Sequence, residues 1–171
     1  MAKRSSKEVV NATEISTMYS LMSGFVGKPC WRANLSWGGE LHLHFGRQVE
    51  YAIPQLKNEK QGEWMFCTSI SEWVINVPKR RKITSSETNQ QRLEEKLQIL
   101  QGVELQSFDV TAMKTALIFG NGCQLSIFHS QERGDKDDAC WELFMPGHMY
   151  LTFDPRNRWS YRRSDVPESV K

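Results

Sequence analysis

The sequence of 171 residues lacks the long apolar segments that place a chain in a membrane. No segment reaches the roughly 18 consecutive apolar residues of a transmembrane helix, and the N-terminal region has no apolar run of signal-peptide length. The sequence therefore predicts no contact with a membrane and a cytoplasmic location.

Cysteine is scarce, and its four residues never form a C-x-x-C pair. This spacing excludes a zinc knuckle and a thioredoxin-type redox motif. In a reducing cytoplasm we expect Cys30, Cys67, Cys123 and Cys140 to be free thiols that pack as small apolar side chains.

The motifs of common catalytic chemistry are also missing. There is no H-E-x-x-H metal motif, no G-x-S-x-G nucleophile elbow, and neither of the glycine-rich loops that hold nucleotide phosphates. We therefore predict no cofactor and favour a protein that is not an enzyme.

Composition supports a folded domain of modest charge. Apolar residues make up 39% and aromatic residues 11% of the chain, which is enough to build a core. The formal net charge is only +2, so strong electrostatic attraction of the whole chain to nucleic acid is not expected.

Two segments have the apolar spacing of amphipathic helices. Asn11 and Glu14 match a capping box before the first segment, and Thr84 and Glu87 match one before the second. Most of the remaining chain alternates in the manner of β-strands between turn residues.

Each helix is followed by similar alternating strands, which predicts an internal duplication. Corresponding residues lie 74 to 77 positions apart: Gly27 with Gly102, Phe45-Gly46 with Phe119-Gly120, Trp64 with Trp141, and Trp73 with Tyr150. We therefore predict an α+β fold of two tandem αββββ repeats, whose antiparallel sheets form a sandwich or barrel-like core with two helices.

The predicted boundaries divide a single domain, residues 1–171. They are a first repeat at 11–78, a basic linker at 79–86, a second repeat at 87–161 and a flexible tail at 162–171.

The hexapeptide LHLHFG, residues 41–46, alternates strictly between apolar residues and histidine. A three-residue loop at 46–48 predicts a hairpin in which Phe45 lies opposite Val49. The same register places His44 opposite Glu50 on the other face.

His42 and His44 are the first candidates for a metal site, with Glu50 as a third ligand. A zinc site requires three or four converging ligands, and the sequence places no further donor beside them. A small metal-dependent enzyme at this pair is therefore only a second alternative, and we predict no bound metal.

Two basic segments are candidates for binding nucleic acid. Arginines can hold the phosphate backbone while bases stack on aromatic rings. The candidate residues are Lys79, Arg80, Arg81 and Lys82 in the linker and Arg156, Arg158, Trp159, Tyr161, Arg162 and Arg163 in the last segment.

Trp31 and Trp37 share strand parity with Ala33 and Leu35, which favours a place in the core. Because aromatic residues are also enriched at protein interfaces, contact with a partner is the alternative. The candidate partner-binding residues are Trp31, Trp37, His42 and His44.

The chain resembles a group of small uncharacterised bacterial proteins with a Trp-rich strand, an F-G turn and a G-E-W strand. The matching residues are Trp31, Phe45-Gly46, Gly62-Glu63-Trp64, Cys67 and Trp73, with 102–105, Phe119-Gly120 and Trp141 in the second half. The resemblance implies a bacterial fold and assigns no activity.

Absent catalytic motifs and abundant aromatic residues together favour a protein-binding function. We expect a non-enzymatic binding protein of the immunity, antitoxin or accessory-subunit kind in a bacterial cell. The first alternative is a nucleic-acid-binding accessory protein that uses the basic linker and the Arg- and aromatic-rich tail.

Overall fold

The computed structural model describes residues 6–8, 12–51, 53–69, 71–129 and 138–165. These ranges hold two α-helices, α1 (Ala12–Met22) and α2 (Gln90–Leu97), neither of which is long and apolar enough to span a membrane. Their strands are β1 (Ser6–Glu8), β2 (Pro29–Leu35), β3 (Leu41–Glu50), β4 (Lys60–Thr68), β5 (Trp73–Asn76), β6 (Ile83–Thr84), β7 (Val103–Val110), β8 (Lys114–Phe119), β9 (Gln124–Phe128), β10 (Trp141–Met145), β11 (Met149–Phe153) and β12 (Arg158–Arg163). The predicted α+β class is confirmed. The predicted cap residue Asn11 and tail residues 166–171 lie outside the described ranges.

All these strands join one antiparallel sheet in the order β1-β12-β11-β10-β4-β3-β2-β7-β8-β9-β5-β6. The order has a centre at the β2–β7 pair. Counted outward from there, β3, β4, β10 and β11 on one side match β8, β9, β5 and β6 on the other. If β2 and β7 are each counted as the first strand, the fourth and fifth strands on each side come from the opposite half of the chain. These are β10 and β11 on one side and β5 and β6 on the other.

Reciprocal backbone hydrogen bonds join the two halves at this centre. Gly27 N donates to Leu105 O at 2.7 Å, and Gly102 N donates to Cys30 O at 2.6 Å. Gly27 and Gly102 have φ angles of 82° and 79°, a left-handed conformation that favours glycine.

The core lies where the sheet curls and its two parts face each other. Trp141 on β10 donates from Nε1 to Thr115 Oγ1 on β8 at 2.8 Å, although four strands separate β10 from β8 in the sheet. Trp64, Trp73 and Trp141 are all buried, as predicted.

Both helices cover apolar side chains of the sheet. Phe25, directly after α1, lies 5.4 Å from Phe45 and 5.8 Å from Trp64 between ring centroids. Leu93 and Leu97 of α2 are buried in the same core. The predicted cap at Thr84 is wrong, because Thr84 lies in β6 and Asn89 Oδ1 accepts from Arg92 N instead.

The predicted hairpin at residues 46–48 is also wrong. Phe45 and Val49 lie in one strand, β3, which pairs with β4 so that Val49 faces Gln61. Gly46 and Arg47 form a bulge opposite Glu63, and the φ of 75° at Gly46 suits the left-handed residue of such a bulge.

The register changes two of the proposed correspondences between the halves. Trp73 pairs with Ile127 at the end of β9, and Trp141 pairs with Thr68 at the end of β4. Counted outward from the β2–β7 centre, Trp73 and Trp141 therefore lie at the same strand position, which differs from the predicted pairing of Trp64 with Trp141 and of Trp73 with Tyr150.

The predicted linker contains a strand, and the predicted start of the tail falls inside another. The linker at 79–86 contains β6, which pairs with β5, and the tail from 162 contains the end of β12, which pairs with β11.

Candidate functional site

The face of the sheet opposite the core carries two rows of largely polar side chains. Antiparallel register places residues that face each other on the same side of the sheet, so each row can be followed from strand to strand. The first row is Asn34, His42, Cys67, Glu142, Thr152 and Ser160, and the second is Arg32, His44, Met65, Phe144, Tyr150 and Arg162. The histidines of β3 and the arginines of β12, distant in sequence, therefore share one face.

His44 is a buried structural residue on this face and is not open to a partner. Its side chain is fully buried, and Gly62 N donates to its Nδ1 at 3.0 Å. Burial, with smaller contributions from the charges of Arg32 and His42, lowers the pKa of His44 to about 3. The imidazole is therefore neutral near pH 7, and its full burial leaves no surface for the partner contact predicted at this residue.

His42 is partly open and lies beside carboxylates. Its Nε2 is 3.7 Å from Glu40 Oε2, and 18% of its side chain is exposed. Burial lowers the pKa of His42, while the charge of Glu142 acts in the opposite direction. His42 remains an accessible candidate residue.

Glu50 is not a third ligand for these histidines. It lies six residues after His44 in the same strand, and its Oε1 accepts from Lys60 Nζ at 3.1 Å. Among the residues that the structure describes, no group of three or more His, Cys, Asp or Glu side chains is arranged to hold a metal ion.

Trp31 is held on this polar face by a β-bulge. Cys30 pairs with Phe45 and Arg32 pairs with His44, so Trp31 is the extra residue of β2 between them. Its ring centroid lies 5.3 Å from that of His44, and the side chain is half-buried. Trp31 packs over His44 and does not join Ala33 in the core.

A polar cavity of about 360 Å³ occupies the other end of the face. Tyr150 donates its hydroxyl to Glu142 Oε1 at 2.5 Å, and the Arg162 guanidinium lies 5.0 Å from the Tyr150 ring centroid. Arg158 and Asp154 form an ion pair at 2.7 Å in the same lining. Sequence reasoning missed Glu142 and Tyr150, although alternation in WELFM and MYLTF places them on the face opposite Trp141 and Leu151.

The predicted combination of arginine and aromatic residues in β12 does not form a nucleic-acid surface. Strand alternation places Arg158 and Arg162 on the polar face, but Trp159 is only 4% exposed and Tyr161 packs against the core. Arg163 pairs with Asp165 at 2.7 Å. Arg156 is exposed without an adjacent stacking ring from this segment.

The basic linker meets α2 in a cleft of about 530 Å³. Arg80, Arg81 and Lys82 approach it from the β5–β6 turn, and Arg92 and Lys96 approach it from the helix. The contribution of α2 was missed because its sequence pattern indicates only a helix with a leucine stripe. Lys79 precedes these residues and is exposed.

Trp37 is the most exposed large apolar side chain of the described residues, at 95%. It begins a single 3₁₀ turn, Trp37–Gly39, between β2 and β3, so the prediction that it packs in the core is wrong. Parity predicted a continuing strand, whereas the two glycines that follow end it.

Thiol chemistry is disfavoured at the cysteines. All four are free and buried, and burial raises the pKa of Cys30 to about 12 and that of Cys140 to about 11. A buried thiol with a raised pKa is a poor nucleophile at neutral pH.

No known protein family, no curated protein and no solved structure matches the chain. The resemblance to small bacterial proteins therefore stays a prediction, and function has to be argued from the geometry alone.

Proposed function

We propose that the protein is a non-enzymatic binding protein that acts on another protein, as an immunity, antitoxin or accessory subunit in the cytoplasm of a bacterial cell. The observation that carries the proposal is the fully presented indole of Trp37. Tryptophan is among the residues that contribute most to protein interfaces, and leaving it in water forgoes a large gain from burial.

Backbone hydrogen bonds order the loop that carries Trp37. Ser36 N donates to Glu40 O at 2.7 Å, and Gly39 N donates to Ser36 O at 3.1 Å. Gly38 and Gly39 have φ angles of 76° and 79°, which other residues adopt only with strain. Because the backbone of the loop is already ordered, a partner that buries the indole has less conformational entropy to offset.

Charged and polar residues follow Trp37 closely in the sequence. Glu40 closes the loop, and His42 follows it with the imidazole 3.7 Å from the Glu40 carboxylate. An apolar anchor with a polar rim is the usual anatomy of a protein interface. We therefore place Trp37, Glu40 and His42 in the proposed contact, with Trp31 behind them.

The proposed tandem duplication allows the turn that carries Trp37 to be compared with a second, corresponding turn. The symmetric strand order and the paired glycines at the centre support two related αββββ units. In the second unit the corresponding turn between β7 and β8 carries Met113 in place of tryptophan, 75% exposed. The first unit would then be the specialised one.

A site-specific crosslinker tests the proposal. A photoreactive amino acid replaces Trp37 in the full chain, and a second version carries it at Met113. Expression in the native host should give a discrete crosslinked protein from position 37 and none from position 113. Equal crosslinking to many proteins from both positions would contradict a specific interface at Trp37.

A further inference from the structure

Positive charge is concentrated in the cleft between the β5–β6 turn and α2, which we call the basic cleft. Its lining has five cations and two carboxylates and so carries a net charge of +3, whereas the whole chain carries a formal net charge of only +2. The lining is Val77, Arg80, Arg81, Lys82, Ile83, Glu87, Arg92, Glu95, Lys96 and Ile99. The rest of the chain is therefore close to neutral.

Four of these cations form no close ion pair within the described part of the chain, although, beyond the hydrogen bond from Lys96, the charge of Arg92 helps to lower the pKa of Glu87. Lys96 pairs with Glu87 at 3.0 Å, whereas Arg80, Arg81, Lys82 and Arg92 form no ion pair there. The four are all exposed. Like charges gathered in one cleft repel one another, and a bound anion relieves that repulsion.

The walls of the basic cleft are fixed by the fold. Arg80 N donates to Val77 O at 3.2 Å within the turn, and Ile83 is buried in the pairing of β6 with β5. On the other wall, Asn121 Nδ2 donates to Ile99 O at 2.9 Å directly after α2. The cations therefore project from two anchored elements.

We propose that the basic cleft binds a small anion that carries two or more phosphate groups. Three of its four unpaired cations are arginines, whose planar guanidinium donates two parallel hydrogen bonds to phosphate oxygens. The volume of about 530 Å³ lies in the range of small-molecule sites. This site is independent of the proposed contact at Trp37.

The lining favours a small phosphate compound over a nucleic-acid strand. No aromatic residue of the described ranges lines the basic cleft, so bases have no ring there on which to stack. Two arginines of β12, Arg158 and Arg163, are paired with Asp154 and Asp165 and so offer no free charge to a nucleic-acid strand.

Calorimetric titration of the full chain with inorganic tripolyphosphate, at about 50 mM salt, tests the proposal. We expect saturable binding that weakens as salt is raised. The double variant Arg80→Gln/Arg92→Gln should lose affinity by roughly tenfold or more, because each arginine supplies a charge-assisted hydrogen bond. Arg163→Gln, a matched loss of one paired arginine elsewhere, should leave the affinity unchanged.

Glu95→Gln supplies a test in the opposite direction. Removing this exposed carboxylate from the lining should tighten tripolyphosphate binding by a few fold, a gain that damage to the fold would not produce. Thermal melting of each variant verifies that it is folded.

Three results would overturn the proposal. The first is absence of tripolyphosphate binding at this low salt. The second is equal binding of citrate, which would show attraction for anions in general. The third is tighter binding of a single-stranded oligonucleotide through Arg80 and Arg92, which would assign the basic cleft to nucleic acid.

Discussion

Strand β3 of the first half and strand β8 of the second half occupy equivalent places in the sheet but differ on one face. Leu43 and Phe45 match Leu117 and Phe119, and all four are fully buried in the core. On the other face, His42 and His44 stand where β8 has Ala116 and Ile118. The apolar faces of both strands pack in the core, and the two strands differ on the opposite face.

The turns between paired strands differ in the same way. Trp37 occupies the β2–β3 turn, and Met113 occupies the β7–β8 turn, where Thr111 Oγ1 accepts from the Met113 and Lys114 amides. Both expose an apolar side chain, but only the first is an aromatic group, the kind enriched at protein interfaces. This difference is the reason that we propose the first half as the binding half.

The largest effect on stability is expected at Gly62, where the backbones of β3 and β4 approach closely. A Cβ on Gly62 would lie 2.5 to 2.7 Å from backbone atoms of Phe45 and Trp64, which cannot move aside. Gly62→Ala should therefore lower the free energy of unfolding by at least about 3 kcal/mol, measured by urea denaturation.

Gly120→Ala, after the equivalent Phe119, is the matched control. A Cβ on Gly120 would lie 3.6 Å from its nearest neighbour, Glu104 O, and the φ of Gly120 is not left-handed. Its effect should stay within about 0.5 kcal/mol. Similar losses at Gly62 and Gly120 would show that the bulge in β3 is not closely packed.

The next effect is a dependence of stability on pH. It arises from His44 in β3, whereas β8 has the non-titrating Ile118 at the matching position. The pKa of His44 is about 3 in the folded protein, against an ordinary value of 6.5, so the unfolded chain binds the extra proton between these values. Stability should fall as pH decreases from about 6.5 toward 3, by up to about 1.4 kcal/mol per pH unit.

His44→Asn removes this titration and retains an acceptor for Gly62 N. Its unfolding free energy, measured across the same pH range, should show a shallower slope than that of the parent chain. An unchanged slope would mean that other groups control the acid sensitivity.

A smaller effect concerns the contact between the two parts of the curled sheet. Thr115→Val removes the acceptor of the buried Trp141 Nε1–H, which should cost about 1 to 3 kcal/mol of stability. Thr115 Oγ1 also shares a hydrogen bond with His129 Nε2 at 2.8 Å, so in a Trp141→Phe background the same substitution should still cost stability, but less than in the parent chain because no indole donor remains. An equal cost in both backgrounds would show that the loss of stability does not come from the hydrogen bond between Trp141 and Thr115.

Alternation and apolar spacing were sufficient to predict much of the core, although parity wrongly included Trp31 and Trp37. The burial of Leu41, Leu43 and Phe45 follows from period two, and Trp64 and Trp73 follow from their place in apolar strands. The same alternation would have placed Glu142 and Tyr150 together, had the β10–β11 pairing been known.

The pairing of strands from different halves of the chain, and the backbone conformation of single residues, could not be predicted in this way. Gly46 resembles a turn residue, but a left-handed glycine also serves a bulge, and only the partner strand decides between them. The placement of β5 beside β9 and of β10 beside β4 depends on contacts between the halves, so sequence spacing gave the wrong partner for Trp73.

The most direct test of the proposed function compares Trp37 with Met113 in a single binding measurement. The partner identified by crosslinking is purified, and its Kd is measured for the parent chain, Trp37→Ala and Met113→Ala. We expect Trp37→Ala to raise the Kd by about 30-fold or more, the equivalent of about 2 kcal/mol, and Met113→Ala to change it by less than about threefold. An unchanged Kd for Trp37→Ala, or an equal loss for both variants, would contradict the assignment of binding to the first half.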